Sequence, residues 1–380
     1  MADKKNQHFV PQFYFKNFSG GKPYINLMST ENGRIISNAG IKGQCARSYF
    51  YGPKENEEII SGFEQHVKAI LDGFIKIKTD NDFQKLYERD DFTRIYFAVL
   101  FQRLRTEREV LKVKRSTDEF TIETFKHYLE NREGTPDIIK NNMDKINSKN
   151  MKIQRPLAYY FALHFDHLYT STNYLIDLGI HVLKNKTSIP FIFGDSPVVF
   201  YNQYYREVKK RGVIGLQTPG LMIFFPLSPD TVLLLLDENV YECPWSNNGI
   251  YEISEDFDVK HINKLQLHNA LKTVYFPESM PHKTILTYWK QEKNNLKPPQ
   301  SGISKDPVYV AGILRKNVML TMDSQIPYIL KLSFINSDVI DDSQYQVRRR
   351  CPEIHEFVKE LETGNFEDAI QHFKEKFSLR

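Results

Sequence analysis

A chain of 380 residues has room for a sizeable core, and 51 Lys and Arg against 47 Asp and Glu leave a net charge of only +4, too mild to imply nucleic acid by itself. The hydrophobic fraction is 41% and includes 27 Phe and 21 Tyr, so the core is expected to be rich in aromatic rings. Three scattered cysteines without a C-x-x-C pair exclude a finger-type thiolate zinc site, and no apolar run is long enough to cross a bilayer. The sparse thiols, and the absence of an apolar leader in MADKKNQ, lead to the expectation of a cytoplasmic protein with no membrane partner.

The first element is HFVPQFYFKNFS, residues 8–19. Chain ends are usually polar and frayed, so a segment this apolar must pack against something. Two short β-prone runs, 24–28 and 34–37, flank Asn32-Gly33, a strong hairpin signal. Residues 57–77 carry an apolar stripe that includes Ile59, Ile60, Phe63, Val67 and Phe74, which predicts an amphipathic helix. From about 90 to 113, Ile95, Phe97, Val99, Leu100 and Leu104 fall all round the wheel, as in a buried helix. Helical pattern continues over 120–130 until Gly134-Thr135-Pro136 breaks it. Residues 137–154 read as a polar surface helix with loops, and 155–184 as one long helix or two.

Then the character changes. PFIFGDSPVVFY, 190–201, reads as strand, tight turn, strand, and LMIFFPLSPDTVLLLLD, 221–237, repeats the plan with PLSPD as the turn. A helix is expected over 258–276, loop over 277–306, short strands at 307–313 and 327–334, and closing helices near 352–362 and 366–377. This order predicts an α+β fold: an N-terminal hairpin and a large helical region packed with a mixed, mostly antiparallel sheet. Residues 1–276 are expected to form the core and 277–380 an extension of loops, short strands and helices packed on it.

Several polar residues stand out, each with an ordinary structural reading beside the chemical one. His8, ahead of Phe9-Val10-Pro11, is either a local cap or a rigidly held general base that titrates near neutrality. Gln102 and Arg105 share a face of the buried helix, and a buried guanidinium needs either a carboxylate or a bound anion. Asp195, in Gly194-Asp195-Ser196-Pro197, is an ordinary turn residue or a carboxylate placed for chemistry, and a candidate partner for Arg105 or His8. Asn269, on an amphipathic helix, orients either a backbone turn or a ligand. His164 and His167 have a metal-compatible spacing, yet no third ligand follows, and packing is the better reading. Basic clusters at 103–115, at Arg206, Lys209, Lys210 and Arg211 beside Tyr201, Tyr204 and Tyr205, and at Arg348, Arg349 and Arg350 suggest a stacking and phosphate surface, or solvated loops. The P-loop, Rossmann, zincin and nucleophile-elbow motifs are all missing.

His8-Phe9-Val10-Pro11-Gln12-Phe13-Tyr14 followed by Asn17-Phe18 resembles the opening of a widespread, mostly bacterial family, domain of unknown function 4238. Gln102, Arg105 and Thr106 resemble its Gln…Arg-Thr helix. Gly194-Asp195-Ser196-Pro197-Val198 is similar to its Asp-Asn-Pro-Val element, and Pro226-Leu227-Ser228-Pro229 to its Pro-Leu-Ser-Pro turn. Asn269 sits where the family has an Asn. The resemblance runs over about 8–276, with Phe15 in place of the usual Leu and Ser196 in place of the common Asn. It implies a shared fold and a residue set, and no reaction.

The leading expectation is therefore a phosphoester-directed hydrolase, nuclease or nucleotide-directed, of the toxin or defence kind. In it His8 is general base or acid, and Arg105 clamps phosphate charge. Asp195 orients His8 or holds a divalent ion, while Gln102, Asn269 and Tyr14 position substrate. No protein metal site is assigned, and the expected partner is nucleic acid or a nucleotide. The alternative is a non-catalytic binding or sensing module in which the same polar residues pin the N-terminus to the helical core.

Overall fold

The computed structural model describes residues 6–88, 91–209, 212–243, 249–296, 301–304, 308–310, 313–315, 320–346 and 348–362. The chain opens with strand β1 (Asn6–His8) and helix α1 (Gln12–Ser19), then the hairpin β2 (Tyr24–Ser29) and β3 (Ile35–Gly40). Gly33 closes that hairpin in the left-handed region, φ 72°, and the Trp289 ring lies so close that a Cβ there would sit 2.7 Å from it. Strand β4 (Ala46–Ser48) returns antiparallel to β1, pairing His8 with Ala46 and Gln7 with Arg47.

The helical region follows: α2 (Lys54–Lys76), α3 (Asp80–Glu88), α4 (Asp91–Leu104) and α5 (Glu107–Asn131). Ile60, Val67, Ile70, Leu71 and Phe74 form the buried stripe of α2, while Ile59, expected in that stripe, faces solvent. The single helix expected over 90–113 is two. The chain breaks at Arg105-Thr106, where Thr106 Oγ1 turns back to donate to the Arg103 carbonyl at 2.8 Å. Short helices α6 (Asp137–Lys140), α7 (Leu157–Phe165) and α8 (Leu168–Asn173) complete this layer.

Residues 155–184 are not all helix, because β5 (Gly179–Asn185) starts within them. An apolar run of this length suits a buried strand as well as a helix, and pairing with a neighbouring strand decides it. The strands β6 (Phe193–Gly194), β7 (Val199–Tyr201), β8 (Met222–Ser228), β9 (Thr231–Leu236) and β10 (Ile250–Ile253) come next. Helix α9 (Asp256–Asn269) stops at Ala270, and the aromatic, β-branched run that follows is strand β11 (Thr273–Phe276), not helix. Pro281 then starts α10 (His282–Glu292) in a stretch expected to be loop, where only a sparse set, Ile285, Tyr288 and Glu292, is buried. Two antiparallel pairs, β12 (Ser301–Ser304) with β15 (Leu320–Asp323) and β13 (Val308–Val310) with β14 (Ile313–Arg315), precede α11 (Pro352–Glu362). No strand forms over 327–334, which packs Leu330 and Phe334 as an irregular segment. The helix expected at 366–377 lies outside the described residues.

The fold is α+β, with mostly antiparallel strands. A five-stranded sheet runs β10-β5-β9-β8-β7, with only β10 and β5 parallel, and a four-stranded sheet runs β3-β2-β11-β6. Strands β8 and β9 are buried along their whole length, which explains their unbroken apolar sequence. Helix α1 touches both sheets. Its Tyr14 stacks on Phe225 of β8, and its Phe15 and Phe18 meet Tyr275 of β11 and Phe193 of β6, with ring centres 4.9 and 4.5 Å apart. The apolar beginning of the chain is thus a wedge of the main core.

Candidate functional site

The family-like residues converge on the α4–α5 break from two sides. On one side lies a clamp on the N-terminus. Gln102 Nε2 donates to the Phe9 carbonyl at 3.1 Å. Arg105, fully buried, donates through Nη2 to the His8 carbonyl and to Glu64 Oε1, both at 2.5 Å, and through Nε to the Tyr51 hydroxyl at 2.9 Å. Tyr51 in turn donates to the same His8 carbonyl at 2.8 Å, and Gln7 Oε1 accepts from the Tyr51 N–H. Burial works against the guanidinium charge, but Glu64 and Tyr51 outweigh it and hold Arg105 above its ordinary value. The carboxylate that Arg105 requires is therefore Glu64, not Asp195.

His8 takes part in this clamp through its backbone carbonyl. Its ring Nε2 lies 3.2 Å from the Lys42 carbonyl and 3.4 Å from Gln12 Nε2. Tyr14, expected to position substrate, is fully buried, and its hydroxyl donates to the Pro226 carbonyl. Its chemistry is that of a core tyrosine.

On the other side is a charged junction that holds Asp195 and Asn269. Asp195 Oδ1 accepts from the Leu271 N–H at 2.7 Å, and Oδ2 from the Lys272 and Thr273 N–H groups at 2.8 and 3.1 Å. These bonds, rather than His8 or Arg105, are its partners, and they join the Gly194–Val198 turn to the start of β11. Burial pushes the Asp195 carboxyl up to about 6, the three N–H groups offset this only in part, and the nearby Glu107 charge adds to it. Asn269 Nδ2 donates to the Ser196 carbonyl at 2.5 Å and the Val198 carbonyl at 3.3 Å.

Asn269 is the last of three amides spaced three residues apart on α9. Gln266 takes the Gly194 N–H at 3.1 Å and donates to the Pro197 carbonyl at 2.9 Å. Asn263 takes the Ile192 N–H and donates to the Pro190 carbonyl, both at 3.0 Å. One edge of the 190–198 backbone is thus satisfied by side chains of a single helix, while Phe193 and Gly194 pair with β11 on the other.

The end of α4 and the start of α5 supply the charge. Arg103, Arg108 and Lys112 surround Glu109 at 3.4, 3.3 and 2.7 Å. Burial opposes ionisation of Glu109, yet these cations hold its carboxyl well below the usual range. Arg103 also donates to the Val198 carbonyl at 3.3 Å and lies 3.7 Å from the centre of the Phe200 ring. Glu107 pairs with Arg47 at 2.5 Å and Lys272 at 2.8 Å, and Lys112 reaches Asp323. Burial pulls Arg108 down to about 10. Among the described residues three polar atoms here, Arg108 Nε, Ser196 Oγ and Asn269 Oδ1, have no hydrogen-bond partner, although all three residues are more than nine-tenths buried.

Read as sequence alone, 103–115 is a basic surface cluster, and that reading misses Arg103, Glu107, Arg108, Glu109 and Lys112 as parts of one buried network. The usable signal is the mixing of acids and bases, RTEREVLK, just after an apolar helix. The other basic clusters do not present stacking rings. Tyr201 and Tyr205 are buried, Arg348 donates to the Tyr204 hydroxyl at 3.0 Å, and Arg350 pairs with Asp177 at 2.6 Å. Lys210 and Arg211 lie outside the described residues. Burial lowers His164 to about 4, and among the described residues no group of three His, Cys, Asp or Glu is placed to hold a metal ion. Among them, too, no helix is long and apolar enough to cross a membrane.

Compared with known proteins, the chain matches a family described as protein of unknown function (DUF4238), whose pattern aligns with residues 6–279 and so spans both the clamp and the junction. No curated protein and no solved structure matches the chain.

Proposed function

The chain belongs to the DUF4238 family, and on that footing we propose that it is a ligand-recognising module whose ligand presents a phosphate or similar oxyanion to the charged junction. One observation carries this reading: the three unpartnered, buried polar atoms of Arg108, Ser196 and Asn269 beside Arg103 and Lys112. Buried polar groups in folded proteins are almost always paired. Arg108 Nε and the Ser196 hydroxyl can donate to an oxyanion, and Asn269 Oδ1 can accept from a hydroxyl of the same ligand. Nucleotides, nucleic acids and simpler phosphate esters all carry such a group. Here His8, Gln102 and Arg105 belong to the clamp on the other side of the break, where Gln102 and Arg105 hold the carbonyls of Phe9 and His8.

The test is a thermal-shift titration with inorganic phosphate and ribose 5-phosphate at constant ionic strength. Wild type is expected to melt higher with either probe. Arg108→Lys and Ser196→Ala should lose that rise while keeping cooperative melts of their own. A wild-type melt that neither probe moves rejects the reading, and so does a rise that both variants retain.

A second reading, phosphoester hydrolysis, is favoured by Asp195, because a carboxyl near 6 can exchange a proton at neutral pH. It requires turnover. If wild type cleaves no RNA, DNA or nucleotide with or without added magnesium, hydrolysis fails and binding stands alone.

A further inference from the structure

We propose that the groove between α9 and α10 is a second binding site, for a nucleoside phosphate. It is separate from the junction, and α10 lies beyond the residues that align with the family. The cavity measures about 430 Å³, within the usual range of roughly 300–1,000 Å³ for small-molecule sites. Phe257, Lys260, His261 and Lys264 line it from one face of α9, at the i, i+3, i+4, i+7 spacing of a helical stripe, and Lys283 and Tyr288 line it from α10.

Each part of such a ligand finds a counterpart. Phe257 is 46% exposed, an apolar ring left at the mouth of a polar groove, and the His261 ring centre lies 4.5 Å from it. A base can stack there, since every base offers a π face. His261 Nδ1 accepts from the Lys331 N–H at 3.3 Å and lies 2.8 Å from the Tyr328 hydroxyl. A backbone N–H can only donate, so the proton of the neutral ring sits on Nε2, which can donate to a ligand. Burial and Lys264 both lower His261, which favours that neutral form.

The cations suit the phosphates. Lys264 is held at 2.9 Å by Glu292, which also takes His268 at 3.0 Å. Lys260 stands 3.9 Å from Asp256, and among the described residues no acid pairs with Lys283. Tyr288 lines the groove, and its buried hydroxyl has no hydrogen-bond partner among the described residues. A buried hydroxyl left this way asks for an acceptor from a ligand. A nucleoside phosphate is the ligand class that joins a flat hydrogen-bonding ring to a multiply charged anion.

The test is calorimetric titration of the full chain with ATP, with adenosine and tripolyphosphate as comparison probes. Phe257, Lys260 and Lys283 are exposed, so their variants should keep the wild-type melting temperature. ATP is expected to bind wild type. The double variant Lys260→Gln/Lys283→Gln should weaken it about tenfold or more. Phe257→Ala should weaken ATP about tenfold and leave tripolyphosphate unchanged. Absence of ATP binding to wild type overturns the proposal, as does tripolyphosphate binding that equals ATP and ignores Phe257→Ala. ATP binding that survives the groove variants but falls in Arg108→Lys assigns the nucleotide to the junction and overturns the groove as its site.

Discussion

Asp195 shows how one residue carries two messages. Its carboxylate is fully bonded, to three backbone N–H groups, and is still raised from its ordinary 3.8 to about 6 because burial is the larger effect. Between these two values the folded chain keeps a proton that the unfolded chain has released. Its contribution to stability is therefore full below the unfolded value and is lost as pH rises through 6. Between pH 5 and pH 7 the loss should be about 1 kcal/mol, since a tenfold change in proton affinity is worth about 1.4 kcal/mol. His164, His261 and His268 are also shifted, all lowered by burial, so the clean measure is a difference. Urea unfolding at the two pH values should show a smaller change for Asp195→Asn than for wild type. An equal change in both would mean that Asp195 is not the titrating group. Glu109 makes the neighbouring point, since it stays charged so deep only because Arg103, Lys112 and Arg108 surround it.

At the scale of elements, the α9 amides are what hold the 190–198 segment. Residues Asn263, Gln266 and Asn269 dock it at three successive levels, and Gly194 lets the helix come close enough to do so. A Cβ on Gly194 would lie 3.0 Å from Ala270 Cβ and 3.2 Å from the Gln266 carbonyl, tighter than ordinary contact. Gly194→Ala should therefore cost about 1–2 kcal/mol, read as a lower urea midpoint, because the end of α9 must shift. It should also weaken phosphate binding at the junction, since Asn269 rides on that end. A variant with wild-type stability would show that the contact relaxes without cost. The α4–α5 break is the second decisive element. It turns what would be one helix into two, and it places Arg105 and Glu107 on opposite sides of the turn, one facing the clamp and the other facing the junction.

Across the whole molecule, the N-terminal segment closes the structure by contacts some ninety to two hundred positions away in sequence. Arg105 holds His8, Gln102 holds Phe9, and Tyr14 reaches Pro226. Removing a buried partner leaves groups that cannot be resatisfied, so Arg105→Ala should lose about 3 kcal/mol or more. Amide hydrogen exchange should also speed up over residues 6–9 before it does so in β8 and β9. Stability and exchange both unchanged would mean that the aromatic packing of α1 alone secures the end. That packing is extensive, with Tyr14, Phe15 and Phe18 all buried between the two sheets.

The amino-acid sequence by itself determined the α+β class, the Asn32-Gly33 hairpin, the β8–β9 pair across Pro226-Leu227-Ser228-Pro229, and the need to bury the aromatic beginning. Each rests on local chemistry: turn residues, apolar period, and the cost of exposed rings. It also singled out Gln102, Arg105, Asp195 and Asn269 as polar residues in apolar surroundings. Only the tertiary structure decided their partners. Glu64 sits in a helix that reads as an ordinary amphipathic surface, so nothing local marks it as the acid for Arg105. Arg103, Arg108, Glu109 and Lys112 look like a solvated charge run until α7 and β12 pack against α5. Burial is a property of the packed chain, and it is burial that turns a common charge pattern into a site.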